Sequence, residues 1–130
     1  MESARTKIAA SQVIAFPNPS PRAAHHPAAV RRATKFIEAN LGQRLDLPQI
    51  AAVGGLSPFH FGRLFKHATG RSPHQYLLDR RILAAKEMLR SKRPSVAEIA
   101  SELGFYDQSH FSQVFKQKSG MTPRQFAQQF

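Results

Sequence analysis

The sequence contains no cysteine and no tryptophan, and only 8 of its 130 residues are acidic. The lack of cysteine excludes disulfides and thiolate metal ligands, and it fits a reducing compartment. No apolar run approaches the roughly 20 residues that a membrane-spanning helix needs, and the N-terminus lacks the apolar core of a secretory signal. We therefore expect a cytoplasmic protein without a membrane partner.

Patterns typical of catalysis and metal binding are also lacking. There are no paired carboxylates, no nucleophile triad and no glycine-rich phosphate loop, so the sequence predicts neither an enzyme nor a bound cofactor. The six histidines are dispersed: His60 and His67 lie seven residues apart on one predicted helix, while His25 and His26 lie near the N-terminus. No carboxylate is spaced to complete a metal site with them, so packed or phosphate-facing histidines are the preferred interpretation.

What the sequence has in excess is positive charge. Its 19 lysines and arginines outnumber the acidic residues and give a formal net charge of +11. This excess predicts an anionic partner, and nucleic acid, an acidic membrane surface and an acidic protein all qualify. Composition favours nucleic acid among the three. Scattered cations such as Arg31, Arg32 and Lys35 are expected only to solvate their segments.

The chain divides into an N-terminal segment and a helical remainder. Residues 1–26 include the proline-rich stretch Phe16–Pro21 and predict a flexible tail or linker, in which residues 7–16 have the composition of a short strand or helix. From Pro27 onward, apolar residues recur at helical spacing between breaks, which predicts an all-α fold of seven helices without strands. The helix start signals are Asp46, Ser57, Ser72, Ser95, Asp107 and Thr122.

The strongest pattern is an internal repeat. Residues 61–76 align with residues 111–126 at an offset of 50, and each copy begins with Phe-x-x-x-Phe-Lys. Upstream, the Ala-x-x-x-Gly of residues 51–55 matches that of residues 100–104 at an offset of 49, so the second copy has one extra residue after its glycine. Each copy predicts a helix-turn-helix, because the alanine lets two helices approach closely and the glycine gives the turn its backbone freedom.

The stretches Ile99–Phe126 and Arg81–Leu89 resemble the DNA-binding region of the AraC/XylS family of bacterial transcription regulators, and the likeness extends over residues 27–130. The resemblance implies two homeodomain-like helix-turn-helix units that read adjacent major-groove segments through one recognition helix each. The units would cover residues 27–71 and 94–130, joined by a connecting helix over residues 72–90. Many relatives carry a separate effector-binding or dimerisation domain, for which this chain has no room. We therefore expect a stand-alone activator or the DNA-binding part of a larger regulator.

The resemblance also implies which side chains meet DNA. The base-reading residues that it implies are Phe59, Arg63, Gln108, Ser109, Ser112 and Gln113. Arginine suits guanine O6 and N7, glutamine suits adenine N6 and N7, and a phenylalanine ring suits a thymine methyl group. The residues expected at phosphates, which position the protein without reading sequence, are Lys66, Lys116 and the helix starts Ser57 and Asp107.

Other interpretations stay open for these residues. Phe59 could fold back against its own helix as a hydrophobic staple, and Arg63 and Gln113 could be ordinary solvated residues, although their equivalent places in the two copies favour base reading. Gly62 removes one reading side chain and lowers helix stability by roughly 1 kcal/mol relative to alanine. The glycine either allows a close approach to DNA or brings no benefit. Because it offers no reading side chain, the first unit would read fewer bases than the second.

Two other classes of function compete with a sequence-specific regulator. One is a non-specific architectural or RNA-binding module, and the other is an interaction module that contacts RNA polymerase. The unlike polar faces of the two copies favour specific reading of double-stranded DNA. The 18 residues from Ser72 to Leu89 would form a helix about 27 Å long. With the radius of each unit added to this length, one monomer could place its two recognition helices about 34 Å apart, which is one turn of duplex DNA.

Overall fold

The computed structural model describes residues 27–91 and 95–130 and places seven α-helices and no strand within them. The helices are α1 Pro27–Ala39, α2 Leu47–Gly54, α3 Pro58–Thr69, α4 Pro73–Ser91, α5 Val96–Glu102, α6 Gln108–Ser119 and α7 Pro123–Ala127. This confirms the predicted all-α fold. The expected tail over residues 1–26, and the short element within it, lie outside the described residues.

The helices begin where the sequence predicts them. Ser57 and Asp107 are the N-caps of α3 and α6, and each side chain accepts the backbone N–H three residues on. In a capping box the cap side chain accepts the backbone N–H of the third helical residue, whose own side chain accepts the cap N–H. The pairs that form such boxes are Asp46–Gln49, Ser72–Gln75, Ser95–Glu98 and Thr122–Gln125.

The described helices form two compact units. Unit 1 comprises residues 27–37 and Leu45–Gln75, and it contains the helix pair α2–α3. Unit 2 comprises Glu38–Arg44 and Tyr76–Phe130, and it contains the helix pair α5–α6. Each unit is therefore assembled from two separate stretches of chain around one helix pair.

The core of unit 1 lies between α1, α2 and α3. Phe61 and Phe65 are fully buried, and their ring centroids lie 5.5 Å apart. The other buried apolar side chains are Ala29, Val30, Ala33, Ile37, Ile50, Ala51 and Leu64, while Ala68 is half-buried. Arg32 does more than solvate α1: its guanidinium donates to the carbonyl oxygens of Val53 and Gly54, each at 3.2 Å. These two carbonyl groups lie at the C-terminal end of α2, where the helix dipole favours a positive charge.

The core of unit 2 is a chain of aromatic rings. Phe111 and Phe115 are fully buried on α6, with ring centroids 5.8 Å apart. The ring centroid of Phe105 lies 5.0 Å from that of Phe111, and the ring centroid of Phe126 on α7 lies 5.6 Å from that of Phe115. On α4, Tyr76, Leu77 and Leu89 are buried, and Ala84 and Met88 are half-buried.

Two consecutive arginines of α4 hold the segment Glu38–Arg44 within unit 2. Arg80 is buried and forms an ion pair with the Glu38 carboxylate. Arg81 is also buried and donates to the carbonyl oxygens of Leu41 at 2.8 Å and Gln43 at 2.7 Å. Burial lowers the pKa of the Arg81 guanidinium. Its planar fork of N–H donors is nevertheless matched by the two carbonyl oxygens that it binds.

The same arginine touches the turn that leads into α6. The Arg81 guanidinium lies 5.6 Å from the centre of the Phe105 ring. A Cβ atom added at Gly104 would come within 2.7 Å of its terminal nitrogen, so a side chain there would displace the guanidinium. Burial, with the nearby Glu38 carboxylate, also raises the pKa of the Tyr76 hydroxyl to about 12.

Candidate nucleic-acid interface

The two helix pairs turn in the same way. Gly55 and Gly104 both adopt the left-handed conformation, with φ of 76° and 77°, which residues with a side chain rarely take. The alanine of each Ala-x-x-x-Gly is buried and its carbonyl oxygen accepts a hydrogen bond from the residue after the glycine. These bonds are Leu56 N to Ala51 O at 3.2 Å and Phe105 N to Ala100 O at 3.0 Å. The structure thus confirms two equivalent helix-turn-helix units.

The hydrogen bonds also show where the second copy carries its extra residue. Leu56 and Phe105 occupy the same place in the turn, at an offset of 49. Ser57 and Asp107 occupy the same N-cap place before the second helix, at an offset of 50. The extra residue is therefore Tyr106, which lies between the turn and α6.

The second helix of unit 1 has one buried and one exposed face. Its exposed face carries Phe59, Arg63 and Lys66, with Gly62 half-buried among them. The Phe59 ring is 73% exposed, so the hydrophobic-staple interpretation is wrong. Instead, the Arg63 guanidinium lies 5.6 Å from the centre of the Phe59 ring. This cation–π contact holds a long flexible side chain in one region of the outer face.

The corresponding helix of unit 2 presents uncharged polar side chains over its first half. Gln108, Ser109 and Gln113 are exposed on α6, and Ser112 is half-buried. Phe111, Val114 and Phe115 face the core, so the two sides of α6 are separated as the helical spacing predicts. The six residues expected to read bases thus lie on the outer faces of α3 and α6.

The residues expected at phosphates lie at the two ends of these helices. Lys66 and Lys116 are exposed in the last turns of α3 and α6. At the other ends, the Ser57 hydroxyl and the Asp107 carboxylate accept the N–H groups of His60 at 3.3 Å and His110 at 2.8 Å. The Asp107 carboxylate carries a negative charge and already accepts the His110 N–H. It can therefore contribute to phosphate binding only by ordering the start of α6.

Residues 27–91 and 95–130 bring no three histidine, aspartate or glutamate side chains together in a way that would hold a metal ion. Within those same ranges, no helix has the length and apolar character needed to cross a membrane.

Two helix-turn-helix units on a chain with a net charge of +11 are typical of a DNA-binding domain. The family model for a helix-turn-helix domain matches residues 50–129, more than half of the chain. The regulatory protein PocR of Salmonella typhimurium is 35% identical over 104 residues, which cover 80% of this chain and 34% of PocR. The chain belongs to the AraC/XylS family of helix-turn-helix transcription regulators, as the resemblance implied.

Solved structures agree with this assignment. An AraC-type DNA-binding transcriptional regulator from Chromobacterium violaceum is 30% identical, with a TM-score of 0.74, and the match covers 82% of this chain and 95% of that one. The DNA-binding domain of the global transcriptional factor AdpA, solved in complex with a target DNA, is 26% identical, with a TM-score of 0.74 over 78% of this chain and 91% of that one. The chain spans about a third of the length of the first curated relatives it matches.

Proposed function

We propose that this chain binds double-stranded DNA as a sequence-specific transcription regulator, with α3 and α6 as its two recognition helices. The observation that carries the proposal is the pair of equivalent helix-turn-helix units whose second helices expose unlike polar faces. The AdpA domain, which has the same fold, was solved on a target DNA. A regulator of this kind acts on chromosomal DNA in the bacterial cytoplasm, which is the location we propose.

In the first half of the site, Arg63 and Phe59 act together. Arg63 would grip guanine O6 and N7 with its planar fork, and Phe59 would rest on a neighbouring thymine methyl group. Because the ring and the guanidinium already lie 5.6 Å apart, less side-chain freedom is lost when both meet the groove. Gly62 offers no side chain between them, so this half reads few base pairs.

The second half is read by neutral amides and hydroxyls. Gln108 and Gln113 would pair with adenine N6 and N7, while Ser109 and Ser112 would donate to or accept from base edges. Lys66, Lys116 and the helix starts at Ser57 and Asp107 would lie against phosphates, which fix the position of the protein without reading sequence. Two of these four residues, Ser57 and Lys66, would serve the first half, and the other two the second half.

We further propose that one chain occupies both halves without dimerising. The preferred site would then span about 15–20 base pairs with two unlike halves, rather than a palindrome. Selection of binding sites from a random duplex library tests this directly. The measured affinity for the selected site must exceed that for random duplex by at least about 10³, since a non-specific architectural or RNA-binding module would not discriminate.

Single substitutions should loosen one half at a time. Arg63→Ala is expected to relax base preference in one half, and Gln113→Ala in the other, each by roughly 1–3 kcal/mol. The measurement is a scan of every base pair of the selected site against each variant. Lys66→Ala is the control, because the loss of a phosphate contact should weaken all sequences about equally. Two substitutions that loosen the same half, or a palindromic site filled by two chains, would contradict the two-unit mechanism.

Gly62→Ala should make the protein more stable. An added Cβ atom would meet only the Leu47 methyl at 3.9 Å, and Gly62 is absent from the glycines with positive φ, so alanine fits the helix. We expect the free energy of unfolding to rise by about 1 kcal/mol, measured by urea unfolding. An unchanged free energy of unfolding would mean that the surroundings of Gly62 leave less room for a methyl group than the 3.9 Å distance to Leu47 indicates. A parallel loss of DNA affinity would show that the glycine serves a close approach to the duplex.

A further inference from the structure

The one-residue difference between the two copies is not explained by the fold. Unit 1 makes the same turn and the same N-cap without an extra residue, so neither the turn nor the cap requires Tyr106. The Tyr106 ring is 83% exposed, so it adds little to the core. A large, exposed aromatic side chain inserted beside a recognition helix therefore calls for a partner outside the chain.

The backbone around Tyr106 is held on both sides. The preceding Phe105 ring is buried, 5.0 Å from Phe111 and 5.5 Å from the His110 ring. The following Asp107 carboxylate caps α6, and the Tyr106 N–H itself donates to His110 Nδ1 at 3.4 Å. The side chain is thus presented from a fixed base, next to Gln108.

Charge indicates what this side chain meets. Between Arg93 and Lys116 the sequence contains no lysine or arginine, while Glu98, Glu102 and Asp107 contribute carboxylates. In the first copy, by contrast, Arg63 supplies a cation at the place that Gln113 takes in the second copy, whereas Lys66 has its equivalent in Lys116. The donors that this stretch of chain can offer to a DNA strand at the start of α6 are therefore neutral ones. A phenolic hydroxyl is such a donor, and tyrosine side chains commonly donate to phosphate oxygens.

We propose that the Tyr106 hydroxyl donates a hydrogen bond to one phosphodiester oxygen of the DNA backbone beside the second half of the site. The proposal rests on the proposed function, because it requires α6 to lie on DNA. The contact positions the second unit and does not read a base. Since the donor is neutral, it releases no condensed cation, and it adds affinity without adding to the salt dependence of binding.

The first test pairs Tyr106→Phe with single methylphosphonate replacements along the selected site. We expect Tyr106→Phe to weaken binding by roughly three- to tenfold on every sequence variant, with the slope of log K against log salt unchanged. At one phosphate of the second half, the replacement should weaken the parent protein clearly more than the Tyr106→Phe variant. Leu83→Ala, a change at an exposed residue of α4, is the control that should bind like the parent.

The outcomes separate this contact from the proposed function. Binding by Tyr106→Phe that equals the parent, a loss confined to one base identity, or equal effects of every phosphate replacement on both proteins would each overturn the contact. A parent protein that shows no preference for any duplex would overturn the proposed function instead.

The second test uses the two tyrosines as reporter and internal control. Tyr76 is 5% exposed and Tyr106 is the exposed one, so tetranitromethane should nitrate Tyr106 and spare Tyr76 in the free protein. Bound to the selected duplex, Tyr106 should be nitrated at least about threefold more slowly, as judged by mass spectrometry of peptides. An unchanged rate in the complex would overturn the contact, while protection confined to the specific duplex would support it.

Discussion

Phe65→Ala and Phe115→Ala should each lower the free energy of unfolding by about 3–5 kcal/mol. Both rings are fully buried, one in the core of each unit, and each packs against another aromatic ring at 5.5–5.8 Å. Removal of the ring loses the transfer free energy of its atoms and leaves a cavity that the surrounding helices fill only in part. Urea unfolding, followed by far-UV circular dichroism, measures the loss.

Phe59→Ala is the matched control for these substitutions, because it removes the same ring from an exposed place on α3. We expect it to change stability by no more than about 0.5 kcal/mol while it weakens DNA binding. A Phe65 or Phe115 variant that unfolds at the same urea concentration as the parent would show that the helical phase of that unit has been misassigned.

DNA binding should depend steeply on salt. If about six phosphates are neutralised, log K falls with log salt at a slope near −5, which is roughly a thousandfold loss between about 50 and 200 mM. Lys66→Ala and Lys116→Ala should each make the slope shallower by about 1, whereas Gln113→Ala should leave it unchanged. Titrations of the selected duplex at several salt concentrations give these slopes.

The salt slope also separates the competing functions. A slope near zero would mean that the excess of positive charge serves something other than phosphates, and it would favour the interaction module that contacts RNA polymerase. A steep slope with equal affinity for random duplex would favour the architectural module. Only a steep slope together with a preferred sequence agrees with a regulator that reads bases.

The local features of the fold could be predicted from the sequence because they depend on neighbours along the chain. An N-cap such as Ser95 and its partner Glu98 lie three residues apart, and the left-handed glycine of each turn lies four residues after its alanine. The repeat made these signals stronger, since the same spacing occurs twice. The exposed face of α3 followed from the same periodicity, although the contact between Arg63 and Phe59 did not.

Contacts between distant residues could not be predicted in this way. Arg32 reaches carbonyl groups 21 and 22 residues further along the chain, and Arg81 reaches carbonyl groups 40 and 38 residues earlier. Basic residues of this kind look like solvated charge in a sequence, because only the fold brings the acceptors to them. The repeat revealed that one residue is inserted, but the hydrogen bonds of the two turns were needed to identify it as Tyr106.

The interleaving of the two units limits how this protein can be divided. A single cut before Tyr76 would leave the segment Glu38–Arg44 on the fragment that carries unit 1, although that segment belongs to unit 2. The C-terminal fragment would then bury Arg80 without the Glu38 carboxylate, and an unpaired buried charge is strongly destabilising. Neither helix-turn-helix is a detachable module, so recombination that exchanges one unit for a relative's must carry three crossovers, at the boundaries 37/38, 44/45 and 75/76, rather than one.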